Sequence, residues 1–154
     1  MFPGATITAL WRPIPFNDHL DLFATDTSGI VWSSWREPSQ WNEWFTVNND
    51  VPMYPGATVS ATWYSLAFFN LYATDASGTV WCSRSIAPPG GDWLPGPRVY
   101  QPWFQFRPQV TMFPGATVTV QYGPVDEDES VTDTDGTAWF TWWNTDKTPI
   151  GEIP

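Results

Sequence analysis

The sequence predicts an all-β chain made of three copies of one four-stranded unit, and three observations carry that expectation. A turn block recurs as Phe2-Pro3-Gly4-Ala5-Thr6, Tyr54-Pro55-Gly56-Ala57-Thr58 and Phe113-Pro114-Gly115-Ala116-Thr117. A second block follows each: Ala24-Thr25-Asp26-Thr27-Ser28-Gly29-Ile30-Val31-Trp32, then Ala73-Thr74-Asp75-Ala76-Ser77-Gly78-Thr79-Val80-Trp81, then Val131-Thr132-Asp133-Thr134-Asp135-Gly136-Thr137-Ala138-Trp139. The composition agrees, with 12 Trp and 10 Phe beside 16 Pro and 11 Gly, because aromatic residues suit a pleated surface while Pro and Gly interrupt helices.

The offsets from Pro3 to Pro55 and from Pro55 to Pro114 are 52 and 59 residues, so residues 1–154 divide within one domain into repeats of about 2–53, 54–112 and 113–154. In each repeat the Pro-Gly turn leads into a first strand, Ala5 to Trp11 in the first copy. A second strand covers His19 to Thr25 and Phe69 to Thr74. The Asp-x-Ser/Asp-Gly element then turns the chain, its Gly supplying the positive φ that such turns need. A third strand spans Ile30 to Arg36, Thr79 to Ser85 and Thr137 to Trp143. A fourth runs from Trp44 to Val47 and from Trp103 to Phe106.

The copies are unequal. Copy three replaces the apolar second strand with Val125-Asp126-Glu127-Asp128-Glu129-Ser130, which reads as an exposed edge or a loop. It also reads as incomplete, with no counterpart of the Trp44-Phe45 strand before Pro154. In copy two, Ala87 to Val99 reads as a long Pro/Gly-rich loop.

Four short strands per unit of about 50 residues is the anatomy of a β-propeller blade. Three blades do not close a ring, so the expectation is closure by oligomerisation, most simply a homodimer giving six blades. The rival is a β-trefoil, which closes with three four-stranded repeats.

Charge limits the partners. The formal net charge is −10, and the basic residues are scattered, so nucleic acid and anionic membranes are poor partners. The start of the chain has no signal-peptide pattern, and no stretch approaches the ~20 apolar residues of a membrane span. The expected chain is soluble, without a visible address. The lone cysteine, Cys82, excludes an intramolecular disulfide and reads as a buried strand residue.

The run Leu20-Asp21-Leu22-Phe23-Ala24-Thr25-Asp26, with Gly29, Val31-Trp32-Ser33 and Trp35, resembles the blades of β-propeller lectins of the Photorhabdus lectin type and the related tectonin-like repeats. Their blades carry a similar hydrophobic-Phe, Gly-x-x-Trp signature and a Trp-containing loop, here Trp41-Asn42-Glu43-Trp44. The likeness covers all three copies, although copy three keeps only the hairpin and third strand. It implies sugar binding, often of fucose or related glycans, in shallow sites between blades that use aromatic stacking and no metal.

A neutral sugar needs an exposed aromatic platform and short hydrogen-bonding side chains beside it. Trp32, Trp81 and Trp139 recur in every copy, which favours packing between units. On the opposite strand face the residues differ, as Trp35, Arg84 and Trp142, which fits a site kept in some copies and lost in others. Trp44 and Trp103 stand between core and site. Arg36 and Arg84 offer paired hydrogen bonds to hydroxyls, against a surface ion pair such as Arg36 with Glu37.

Other chemistry is thin. His19 is the only histidine, so no histidine triad recurs and no multi-histidine metal site exists. The acids from Asp126 to Asp135 look like a calcium loop, but the same turn recurs without the second acid, so a hairpin explains it. Asp26, Asp75 and Asp133 raise the possibility of glycoside hydrolysis, yet each sits where a turn favours Asp. The expectation is a non-catalytic, cofactor-free multivalent lectin for neutral sugars, fucose or a related glycan. The alternatives are a structural or protein-interaction propeller and, behind it, a glycoside hydrolase fragment.

Overall fold

The computed structural model describes residues 3–11, 19–37, 40–63, 68–86, 98–106, 111–122, 126–132, 137–144 and 149–153. Among them there is no helix, and hence none long and apolar enough to cross a membrane. The first repeat forms β1 (Thr8–Trp11), β2 (Leu20–Thr25), β3 (Val31–Glu37), β4 (Gln40–Trp41) and β5 (Phe45–Thr46). The second forms β6 (Ser60–Trp63), β7 (Phe69–Thr74), β8 (Val80–Ile86), β9 (Val99–Tyr100) and β10 (Phe104–Phe106). The third forms β11 (Thr119–Tyr122), β12 (Asp126–Thr132), β13 (Ala138–Asn144) and β14 (Pro149–Ile153).

Each repeat is its own antiparallel sheet: β1-β2-β3-β4 with β5 also on β3, β6-β7-β8-β10 with β9 also on β8, and β11-β12-β13-β14. The registers coincide. Ala24 faces Trp32, Ala73 faces Trp81 and Val131 faces Trp139 across their hairpins.

The hairpin turns explain the Asp-x-x-Gly-x-x-Trp spacing. Asp26 Oδ1 accepts from the amides of Ser28 and Ile30 at 2.8 and 3.0 Å, and its Oδ2 accepts from Trp32 Nε1 at 2.8 Å. Asp75 repeats the arrangement with Ser77, Thr79 and Trp81 at 2.8, 2.9 and 2.9 Å. Gly29 and Gly78 take φ of 80° and 82°. Each also holds the end of its own repeat, just before the next Pro-Gly turn: the Met53 amide donates to Gly29 O and the Met112 amide to Gly78 O, both at 2.9 Å.

Period-two alternation sends one strand face to each neighbouring sheet. Phe23 and Val31 of sheet one meet Phe69, Leu71 and Ala73 of sheet two in the larger core, with Val47, Val59, Tyr100 and Trp103. The other face of sheet two supplies Tyr72, Val80 and Cys82 to a second core with Met112 and Val118. Every residue of β7 is therefore buried.

Three sequence expectations are corrected. The acidic run of copy three is neither loop nor edge: β12 is an interior strand, paired along its length with β13 and over Glu127–Ser130 with β11. Backbone pairing on both sides holds it irrespective of side-chain polarity. The third repeat also has a fourth strand, β14, registered on β13 from Phe140↔Ile153 to Trp143↔Pro149; it lacks the Trp-Phe pair that marks the others, so pattern matching misses it. The first strand begins at Thr8 rather than Ala5, because its ladder with β2 starts at Thr8↔Phe23. Of the long loop in copy two, residues 87–97 lie outside the described residues, and Val99 belongs to β9.

Candidate functional site

Strand direction creates two unlike ends. The Asp26 and Asp75 turns and the Pro-Gly turns crowd one; at the other, β2 and β7 begin and β1, β3, β6 and β8 finish. Here the cleft between sheets one and two carries side chains that a purely structural core does not need.

Asp21 is fully buried, and register places it opposite Trp35. His19 Nε2 lies 3.2 Å from both carboxylate oxygens. Only the contact to Oδ1 has hydrogen-bond geometry, so Oδ2 is buried without a hydrogen-bond partner among the described residues. A buried carboxylate is costly unless charge or hydrogen bonding compensates it. Buried Arg98 supplies nearby positive charge: Asp21 and Arg98 act in opposite senses on the phenol of Tyr100. Burial, reinforced by the Asp21 charge, pushes that phenol far above its ordinary range, so Tyr100 is a neutral donor, placed 3.4 Å from Ser33 Oγ.

Aromatic rings frame these polar groups. The Arg98 guanidinium carbon sits 5.9 Å from the Trp63 ring centroid and 5.8 Å from that of Phe69, within cation–π range. Trp63 meets Phe69 edge-on at 5.1 Å, and its Nε1 donates to Trp11 O at 2.8 Å. Trp35 packs edge-on against Phe45 at 5.4 Å, and Phe45 lies 6.2 Å from Tyr100. A guanidinium over one indole and one phenyl ring, with a phenol and a buried carboxylate in the same seam, suits a ligand with both apolar C–H faces and hydroxyls.

The residues singled out from sequence do not converge on one site. Trp35 borders this cleft but is buried rather than an open platform. Arg84, its repeat counterpart, faces the cleft between sheets two and three, and its Nε donates to Asn70 Oδ1 at 3.2 Å. Trp142 occupies the matching register position opposite Asp128 on β13. Arg36 lies on the opposite face of β3 from Trp35, with Trp41 as cross-strand neighbour. Trp32 and Trp81 are half-buried and held by their turn aspartates; Trp81 also packs against the larger core. Trp139 is placed by its register with Val131. Trp44 is exposed, whereas Trp103 is buried, with Nε1 unpartnered among the described residues.

His19, Asp21, Arg98, Tyr100 and Trp63 were not expected from sequence. One signal was available: Asp21 interrupts the apolar face of Leu20-Asp21-Leu22-Phe23 at an inward position. The remaining candidates divide by region. Asp26 and Asp75 are committed to their own hairpins: burial pushes each carboxyl up, but the hydrogen bonds from Trp32, Ile30 and Ser28, and from Ser77, Trp81 and Thr79, hold both below the ordinary value. The turn at residues 133–136, read from the sequence as a hairpin rather than a calcium loop, lies outside the described residues. No cluster of three or more metal-ligating side chains occurs among those described.

No family model matches the chain, and no curated protein does. Among solved structures it is similar to the BP39L lectin from Burkholderia pseudomallei, with a TM-score of 0.76 and 20% identity over 98% of this chain and 41% of that one. The chain thus spans less than half the length of that lectin, and the likeness is one of fold.

Proposed function

We propose that the three sheets are blades of a β-propeller, and that the chain is a non-catalytic, multivalent lectin taking neutral sugars, fucose or a related glycan, in clefts between blades. The observation that carries this reading is Arg98, held where sheets one and two meet with its guanidinium carbon over both the Trp63 and the Phe69 ring, 5.9 and 5.8 Å from their centroids. A sugar C–H face lies against the half-buried Trp63 indole while a guanidinium N–H donates to a neighbouring hydroxyl. Buried Asp21 and Tyr100 hold the cation's setting rather than contacting ligand. Fold likeness to a lectin supports the same class of partner. Three independent sheets in series fit blades better than a trefoil.

Weak sites repeated along a chain, and again by homo-oligomerisation, gain affinity through avidity. No cofactor is required. The protein-interaction reading rests on a different observation, the exposed Ile7, Trp11, Trp41 and Trp44 of sheet one. A glycan array separates the two. Binding of a fucosylated, methylated or amino sugar by the wild type, lost in Arg98→Ala, is the expected result; silence across the array at high protein density overturns the lectin reading, and release of reducing sugar revives the hydrolase.

A further inference from the structure

The two joints inside the chain are one joint made twice. Thr8 Oγ1 donates to Val59 O, and Ser60 Oγ to Val118 O. Thr25 Oγ1 donates to Ala57 O at 2.8 Å, and Thr74 Oγ1 to Ala116 O at 3.0 Å. In each joint one sheet supplies hydroxyl donors, and the next offers carbonyls from the segment between its Pro-Gly turn and its first strand.

The acceptor side of this joint also exists on sheet one, facing away from sheet two, where no described residue of the chain covers it. Ile7 is the repeat counterpart of Val59 and Val118. Those two are 0% and 1% exposed, while Ile7 is 57% exposed. Trp103, 5% exposed against sheet one, has as its counterpart Trp44 at 38%. Leu71, fully buried in the joint, corresponds to half-buried Leu22. The donor side recurs on sheet three: Thr119 is the counterpart of Thr8 and Ser60 and is exposed, and register places Thr132 opposite Ala138 as Thr25 is placed opposite Val31.

We propose that the face formed by Ile7, Leu22, Trp32 and Trp44 is the seat of a second copy of this chain, whose third sheet docks head to tail with Thr119 at the Ile7 carbonyl. The occupant follows from complementarity: among the described residues, sheet one presents an acceptor face and sheet three a donor position of a joint that the chain already makes twice. The contact is heterologous, so it closes a ring or propagates. Two chains of three sheets close a ring of six. This proposal rests on reading the sheets as ring-forming blades and is independent of the sugar.

Native mass spectrometry and sedimentation of the full chain test it. The expected species has twice the 17.4 kDa of one chain. Ile7→Asp, at a position exposed in the single chain, is expected to give monomers with unchanged far-ultraviolet circular dichroism, and Thr119→Lys to do the same. The chain carrying both substitutions is expected to recover the dimer, since the new charges meet across the joint. A wild type that stays monomeric at high concentration overturns the proposal, as does an assembly whose mass Ile7→Asp leaves unchanged. A wild-type monomer that binds glycans sinks the joint and keeps the lectin; a dimer dispersed by Ile7→Asp that binds none does the reverse.

Discussion

Trp32 and Asp26 are bound to each other across their hairpin, indole Nε1 to carboxylate Oδ2 at 2.8 Å, and Trp81 and Asp75 repeat the bond at 2.9 Å. The repeated tryptophan is thus half of a turn clamp, with the aspartate six residues earlier as the other half. Replacing Asp26 by Ala removes the acceptor for two amides and an indole. The expected loss is about 1–2 kcal/mol of stability, read as a lower urea midpoint with unchanged slope.

The same clamps give stability a pH dependence. The folded-state pKa values of Asp26 and Asp75 lie below their ordinary value because the charged forms accept hydrogen bonds. Their contribution is present above the unfolded pKa of about 4 and disappears as pH falls through the depressed folded values. Thermal melts below pH 4 are expected to lose less in the Asp26→Ala, Asp75→Ala double variant than in the wild type. Equal acid sensitivity in both would remove these two groups from the explanation.

Gly78 and Gly4 both have positive φ, at 82° and 85°, but only Gly78 is crowded. A Cβ at Gly78 would stand 1.9 Å from Met112 O, whereas at Gly4 it meets nothing within 4 Å. Gly4→Ala is expected to cost about 1 kcal/mol from the left-handed backbone alone. Gly78→Ala is expected to exceed about 3 kcal/mol, since the segment carrying Met112, whose side chain fills the second core, must also shift. Chemical denaturation of both variants checks the ranking.

Phe69 meets Phe23, Trp63 and Tyr100 with ring centroids 5.6, 5.1 and 6.1 Å away. Truncation to Ala is expected to cost about 3–5 kcal/mol, because these rings belong to two different sheets and do not collapse into the void. Tryptophan emission should shift to the red as Trp63 loses its cover.

For the proposed sugar site, Arg98→Ala is expected to lower affinity at least ~10-fold, about 1.4 kcal/mol, by calorimetry with the sugar that the array identifies. Arg36→Ala, on the opposite face of β3, is expected to leave it unchanged. The reverse pattern would relocate the site.

The repeat was legible because its turn residues are set by local backbone demands: Gly29 and Gly78 need positive φ, and Asp26 and Asp75 need the donors that follow them. β12 was not legible, since its acids argue against a strand and only pairing with β11 and β13 overrules them. β14 escaped for lack of aromatic residues. The candidate cleft was legible in part. Trp35 borders it as one of the varying positions, but its burial depends on Phe45 and Tyr100, which no pattern in the sequence brings together. Arg98 reaches Trp63 only through the folding of sheet two onto sheet one.

The Gly29–Met53 and Gly78–Met112 contacts lie at one end of the sheets, and the length difference between repeats lies at the other. There β3 and β4 are joined by residues 38–39, while β8 and β9 are joined by residues 87–98. One end therefore repeats the same contacts at the same distances, while the other accommodates connections of different length, whose entropic cost grows only slowly with length. Residues added between Glu37 and Gln40 stand at the end away from the Gly29–Met53 contact, which makes this rim the natural place to lengthen the molecule.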